Sequence, residues 1–244
     1  MIIMRRIILA LLAVTLTACD GGMPEPPRDS APSYPASTAE TGDGDGALST
    51  APPDAARTAD VPTVLFVGTS LTAGYGVGAE FAYPAVLQQM MDSAGLAYRV
   101  VNAGISGETS AGGLRRIDWS LQQPAAVLVL ELGANDALRG LDTDEMRNNL
   151  DAILRRAREL HPGIDIVIIG MEAPPNLGDD YGRRFRTVYT DLAREYDAAL
   201  VPFLLEGVAA VPALNLEDGI HPNSEGQRIL AHTVWQELEL VLRR

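Results

Sequence analysis

The chain has no lysine; all 19 of its basic residues are arginine. That excludes a phosphate-cradling P-loop lysine, a pyridoxal Schiff base and a lysine general base. Cysteine is almost as scarce, with Cys19 the only one. Disulfides within the chain, thiolate zinc sites and a cysteine nucleophile beyond the first 19 residues are excluded with it. Positive charge is short as well. Asp and Glu outnumber Arg 32 to 19, for a net charge of −13, and no basic excess is left to neutralise phosphates. A nucleic-acid partner is therefore disfavoured, and the acidic surface serves solubility. Three histidines remain (His161, His221 and His232), none in an H-E-x-x-H pattern. What survives is hydroxyl, imidazole, carboxylate and amide chemistry.

Residues 1–18 read as an export signal, with Arg5 and Arg6 ahead of the apolar run Ile7–Leu16. A membrane-spanning helix needs roughly 20 apolar residues, and this run is too short. Leu16-Thr17-Ala18-Cys19 resembles the bacterial lipobox. The resemblance implies cleavage before Cys19 and several acyl chains on it, and more than one chain is what stable anchoring takes. Residues 19–60 are mostly Pro, Gly, Ser, Ala, Thr and Asp. Such a segment cannot bury enough surface to offset its ordering entropy, so a disordered tether is expected. As a flexible coil it spans about 35 Å root-mean-square. The expected location is the bacterial cell envelope, on the periplasmic side.

From residue 61 to 244 the pattern changes. Strand-like runs lie at Val64–Val67, Tyr98–Asn102, Ala126–Glu131, Ile164–Gly170 and Ala199–Phe203. Helical patterns alternate with them at Tyr83–Ser93, Ser110–Ser120, Asp144–Leu160, Tyr181–Tyr196 and Glu225–Leu242, the last behind a capping box at Ser224–Gln227. Alternating β and α units predict one α/β domain, a five-stranded parallel sheet with helices on both faces.

Four segments placed after strand ends, or before the last helix, carry residues that a plain loop does not require. They are Gly68-Thr69-Ser70-Leu71, Asn102–Thr109, Gly133-Ala134-Asn135-Asp136 and Asp218-Gly219-Ile220-His221-Pro222-Asn223. Ligands of open α/β sheets bind beyond the carboxyl ends of the strands, which is where Ser70 falls. A serine hydroxyl is a weak nucleophile without an oriented base. Asp218 and His221, three residues apart on a turn constrained by Gly219 and Pro222, can supply one: the carboxylate reaches one ring nitrogen and the other faces outward. Taken alone, each segment also fits an ordinary turn. It is the set of four, in order, that points to a serine nucleophile with an oriented base.

As a set, these segments resemble the SGNH (GDSL) hydrolase superfamily, and within it the bacterial arylesterase, acyl-CoA thioesterase and lysophospholipase type. The likeness runs from about Val64 to the C-terminus. It implies a flavodoxin-like α/β/α sandwich, Ser70 as nucleophile, Asp218 and His221 as the rest of a triad, and an oxyanion hole of Ser70, Gly107 and Asn135. It also implies ester hydrolysis through an acyl-enzyme on small-molecule ester or lipid substrates, with no metal or cofactor. One position departs from the pattern: Thr69 stands where the family usually has aspartate, losing a charge and keeping one hydrogen-bonding oxygen. A polysaccharide O-acetyl esterase and a catalytically inactive envelope-binding module are the alternatives.

Other conspicuous residues have plainer readings. Gly74-Tyr75-Gly76-Val77-Gly78-Ala79 mimics a dinucleotide fingerprint but starts too far past the first strand, and reads as a flexible rim. The G-x-S-x-G elbow is absent, since Thr72 holds the second glycine's place. His161 is expected at a helix C-terminus. Trp119, His232 and Trp235 are expected to be packing residues, Met90 and Met91 core filler, and Arg139 either solvated or at the substrate entrance.

Overall fold

A computed structural model describes residues 61–244. The expected signal, Cys19 and the tether lie outside the described residues.

Five strands form one parallel sheet: β1 (Thr63–Gly68), β2 (Arg99–Gly104), β3 (Val127–Glu131), β4 (Asp165–Ile169) and β5 (Ala199–Val201). Their order is β2-β1-β3-β4-β5. All residues of β1 and β3 are buried, as continuous apolar runs between covered faces should be. Among the described residues seven α-helices accompany them: α1 (Ser70–Ala73), α2 (Tyr83–Ser93), α3 (Ser110–Ser120), α4 (Ala134–Leu138), α5 (Thr143–Leu160), α6 (Asp179–Glu195) and α7 (Ser224–Leu242). One group packs α5 between α3 and α6, and a second sets α2 against α7. The result is the parallel sheet with helices on both faces that the alternation predicted, and the three-layer flavodoxin-like sandwich that the family resemblance implied.

Helix α5 illustrates how sequence produces these elements. The Asp142 side chain caps the Asp144 and Glu145 amides, and Met146, Leu150, Ile153, Leu154 and Ala157 form a buried stripe at helical spacing. Each large side chain in such a stripe contributes about 1.5–3 kcal/mol. The stripe, more than propensity, holds the helix.

The sheet order reverses direction between β1 and β3, the topological switch point at which such sheets bind ligands. Ser70 follows β1 there and Asn135 follows β3.

Three local expectations change. Helix α7 is capped by Asn223, whose Oδ1 accepts the Glu225 and Gly226 amides at 3.0 Å each; Ser224 is its first helical residue. Gln227, read as the far half of a capping box, instead accepts the Tyr83 amide at 2.8 Å. Trp119 is 69% exposed and His232 is exposed, so neither is a packing residue. Trp235 and Met90 are half-buried against the core and Met91 is fully buried. His161 ends α5, with Nε2 3.0 Å from the Leu121 carbonyl.

Candidate active site

Strand β1 ends at Gly68, in register with Glu131 at the end of β3. A Cβ on Gly68 would lie 2.1 Å from Thr72 Oγ1 and 2.7 Å from Glu131 Oε2. Only glycine leaves room for the chain to turn over that carboxylate. Thr69 then caps α1, and Ser70 becomes its first residue, where a backbone N–H has no intrahelical acceptor.

His221 is positioned differently. Asp218 Oδ1 accepts the backbone N–H groups of Ile220 and His221 at 2.9 and 3.0 Å. Its Oδ2 lies 2.7 Å from His221 Nδ1. The His221 backbone N–H foremost, then the imidazole and the Ile220 N–H, hold the Asp218 carboxyl down at about 2. His221 Nε2 lies 3.0 Å from Ser70 Oγ. The loop is pinned by Leu216 N–H donating to the His221 carbonyl at 2.7 Å. Tyr75 lies against the imidazole, with ring centroids 4.4 Å apart. The rim segment thus covers one side of the histidine.

Two further loops complete the cleft. Gly133 opens α4 at φ +115°, and a Cβ there would meet the Tyr189 hydroxyl at 2.3 Å. Asn135 Nδ2 donates to the Glu108 carbonyl at 3.0 Å. That spends one of its two N–H donors and leaves the second for a ligand. The loop carrying Gly107 is tied down on both sides. Arg116 forms an ion pair with Glu108 and donates to the Ala103 carbonyl at 2.7 Å. Arg139 Nη2 donates to the Gly107 carbonyl at 2.8 Å. Asp136 accepts the Ser110 N–H at 2.8 Å, linking α4 to α3.

Ser70, Gly107, Asn135 and His221 line one cleft of about 410 Å³. Its other walls are largely apolar, with Tyr75, Leu138, Met171, Pro174, Leu205 and Ile220. Among the described residues, no group of three or more His, Cys, Asp or Glu side chains could hold a metal ion.

This geometry has named relatives. The model of the GDSL-like Lipase/Acylhydrolase family matches residues 66–229. Esterase TesA of Pseudomonas aeruginosa is 41% identical over 181 residues, covering 74% of this chain and 89% of the relative. The chain belongs to the GDSL-like family. Thioesterase 1/protease 1/lysophospholipase L1 of Escherichia coli K12 is 38% identical over 185 residues, 75% of this chain and 86% of that one. Among solved structures, the psychrotrophic esterase EstA from Pseudoalteromonas sp., inhibited by monoethylphosphonate, has a TM-score of 0.69 and 32% identity, covering 75% of this chain and 99% of that one.

Of the family residues expected from the motifs, all five of the domain converge: Ser70, Gly107, Asn135, Asp218 and His221. Arg139, read as solvated or at the entrance, braces the Gly107 loop. Sequence reasoning gave no role to Glu131, Thr72 and Tyr83, which lie beneath Ser70. The available signal was a carboxylate ending an otherwise apolar buried strand, since lone buried carboxylates are rare.

Proposed function

We propose that this protein is a serine ester hydrolase that passes the acyl group of a carboxylic ester or thioester through Ser70 to water. Asp218 orients the imidazole and stabilises its protonated form. His221 Nε2 takes the hydroxyl proton as Ser70 Oγ bonds to the carbonyl carbon. The oxyanion that forms is met by the Ser70 and Gly107 N–H groups and the free N–H of Asn135. His221 then protonates the leaving oxygen or sulfur, and a water activated by the same nitrogen releases the acid. The observation that carries this reading is the continuous run of contacts, 2.7 Å from Asp218 to His221 and 3.0 Å from His221 to Ser70, opening into an apolar cleft.

The cleft walls favour acyl groups of small to medium length, on aryl esters, thioesters or lysolipids, over an acetylated sugar, which would ask for polar walls. Names of the relatives support the same class. Ser70→Ala removes turnover of a chromogenic aryl ester on this reading, and wild-type-like hydrolysis by that variant contradicts it. An acyl-chain series measured against acetylated sugars separates this substrate class from a polysaccharide deacetylase.

The lipobox-like Leu16–Cys19 and the composition of residues 20–60 support a lipid-anchored, periplasm-facing enzyme on a tether, with residues 61–244 as its catalytic domain. Cells fed an alkyne fatty acid should label the wild type and not Cys19→Ser; equal labelling removes the anchor.

A further inference from the structure

One buried carboxyl group lies beneath the nucleophile turn and takes no part in the steps above. Glu131 ends β3 after Val127, Leu128, Val129 and Leu130, and is 1% exposed. Its carboxylate accepts the Thr69 N–H at 2.8 Å, the Thr69 hydroxyl at 2.9 and 3.0 Å, and the Thr72 hydroxyl at 2.8 Å. Those two threonines bracket Ser70. The Tyr83 hydroxyl sits 2.8 Å from Thr72 Oγ1.

Counting hydrogens shows which state this arrangement suits. With Glu131 ionised, Tyr83 donates to Thr72 and Thr72 donates to the carboxylate. Thr69 donates twice to the carboxylate and accepts the Leu71 N–H at 3.5 Å. Every donor has an acceptor. A proton added to Glu131 becomes one donor too many, and a threonine hydroxyl must turn its hydrogen away. An unmatched buried donor costs about 1–3 kcal/mol.

We infer that Glu131 is a positioning residue for the nucleophile: its carboxylate, gripping the donors on either side of Ser70, fixes the turn that aims Ser70 Oγ at His221, and its protonation loosens that turn. This rests on the serine-hydrolase reading above. Thr69 fits the role. A second carboxyl in the family's usual place would have to share a proton with Glu131, because adjacent carboxylates cannot both ionise readily. A hydroxyl simply donates.

The titration falls within a working range. Burial raises the Glu131 carboxyl to about 7, against the opposing pull of the Thr69 and Thr72 hydrogen bonds. The titratable groups facing it are Tyr83 from α2 and Tyr189 from α6, both pushed well above the usual tyrosine value by burial and then by the Glu131 charge. Both are therefore neutral throughout, and among the described residues no arginine offsets the charge.

The test is kcat and KM for an aryl ester between pH 5 and 9, in the wild type, Glu131→Gln, Thr69→Ser, Thr69→Val and Ser70→Ala. In the wild type the acid limb of log kcat should steepen beyond one proton, as both His221 and Glu131 must be deprotonated. Glu131→Gln should flatten that limb to one proton and lower kcat at pH 8 about 10–100-fold, with KM within about twofold. Thr69→Val should reproduce the loss of kcat, and Thr69→Ser should recover most of it. A purely packing role would give no such split between kcat and KM and no change of slope. A one-proton limb in the wild type overturns the inference, as does a folded Glu131→Gln or Thr69→Val variant with wild-type kcat. Should Glu131→Gln fail to fold, the wild-type slope and the Thr69 pair decide. An inactive Ser70→Ala beside an unaltered Glu131→Gln removes this inference alone; an active Ser70→Ala removes the serine-hydrolase reading beneath it.

Discussion

Ser70 stands on a turn flanked by Thr69 and Thr72, 1% and 0% exposed, both bonded to a carboxylate about 60 residues away on another strand. His221 stands on an exposed loop where its partner Asp218 is three residues away and accepts the backbone amides of the intervening turn. Ser70 is therefore placed by the sheet, and His221 is placed by its own loop. A change beneath Ser70 disturbs core and chemistry together, whereas a change in the Asp218–His221 loop should alter chemistry and leave the fold alone.

Several measurements break or sharpen that contrast, the largest effect first. Asp218→Asn keeps the shape and removes the charge that orients His221, and should lower kcat by about 10⁴. The melting temperature should stay within a few degrees, and a large drop would mean the loop is a structural element after all. Asn135→Ala should cost about 10²–10³ in kcat if its free N–H serves the oxyanion. An unchanged kcat would take Asn135 out of that role.

Stability and activity should move in opposite directions with pH on the nucleophile side. Folding raises the Glu131 carboxyl from 4.5 to about 7, so the folded protein binds this proton more tightly than the unfolded chain does. The stability it contributes is complete below about 4.5 and is lost as pH rises through about 7. The loss is about 3 kcal/mol, or roughly 6–12 °C in melting temperature for a domain of this size. Melting curves at pH 5 and pH 8 check this, and Glu131→Gln should remove most of the difference. The smallest effect is purely structural. Among the described residues, Thr143 Oγ1 at the start of α5 is buried without a hydrogen-bond partner. Thr143→Val should stabilise the domain by about 1 kcal/mol and leave kcat untouched; a loss of stability would show that the hydroxyl has a partner.

What was readable in the sequence follows the same division. The Asp218–His221 loop announces itself because Asp218, Gly219, His221 and Pro222 lie within five residues and complete their geometry locally. The support under Ser70 was invisible because Glu131 meets Thr69 only through the register of two parallel strands. Helices α1 and α4, four and five residues long, are too short for any periodicity to reveal. Trp119 was legible and misread: the buried positions of α3 are Ser110, Gly113 and Ile117, and residue 119 is out of phase with them. Ser224 was passed over for Asn223 because both are good caps, and only the chain path after Pro222 decides between them.

Whether Ser70 is an activated nucleophile is tested most directly by mass spectrometry of the protein treated with a fluorophosphonate. A single adduct should form on the peptide containing Ser70, rapidly in the wild type and much more slowly in His221→Ala. No adduct, or one on another residue, would contradict that role.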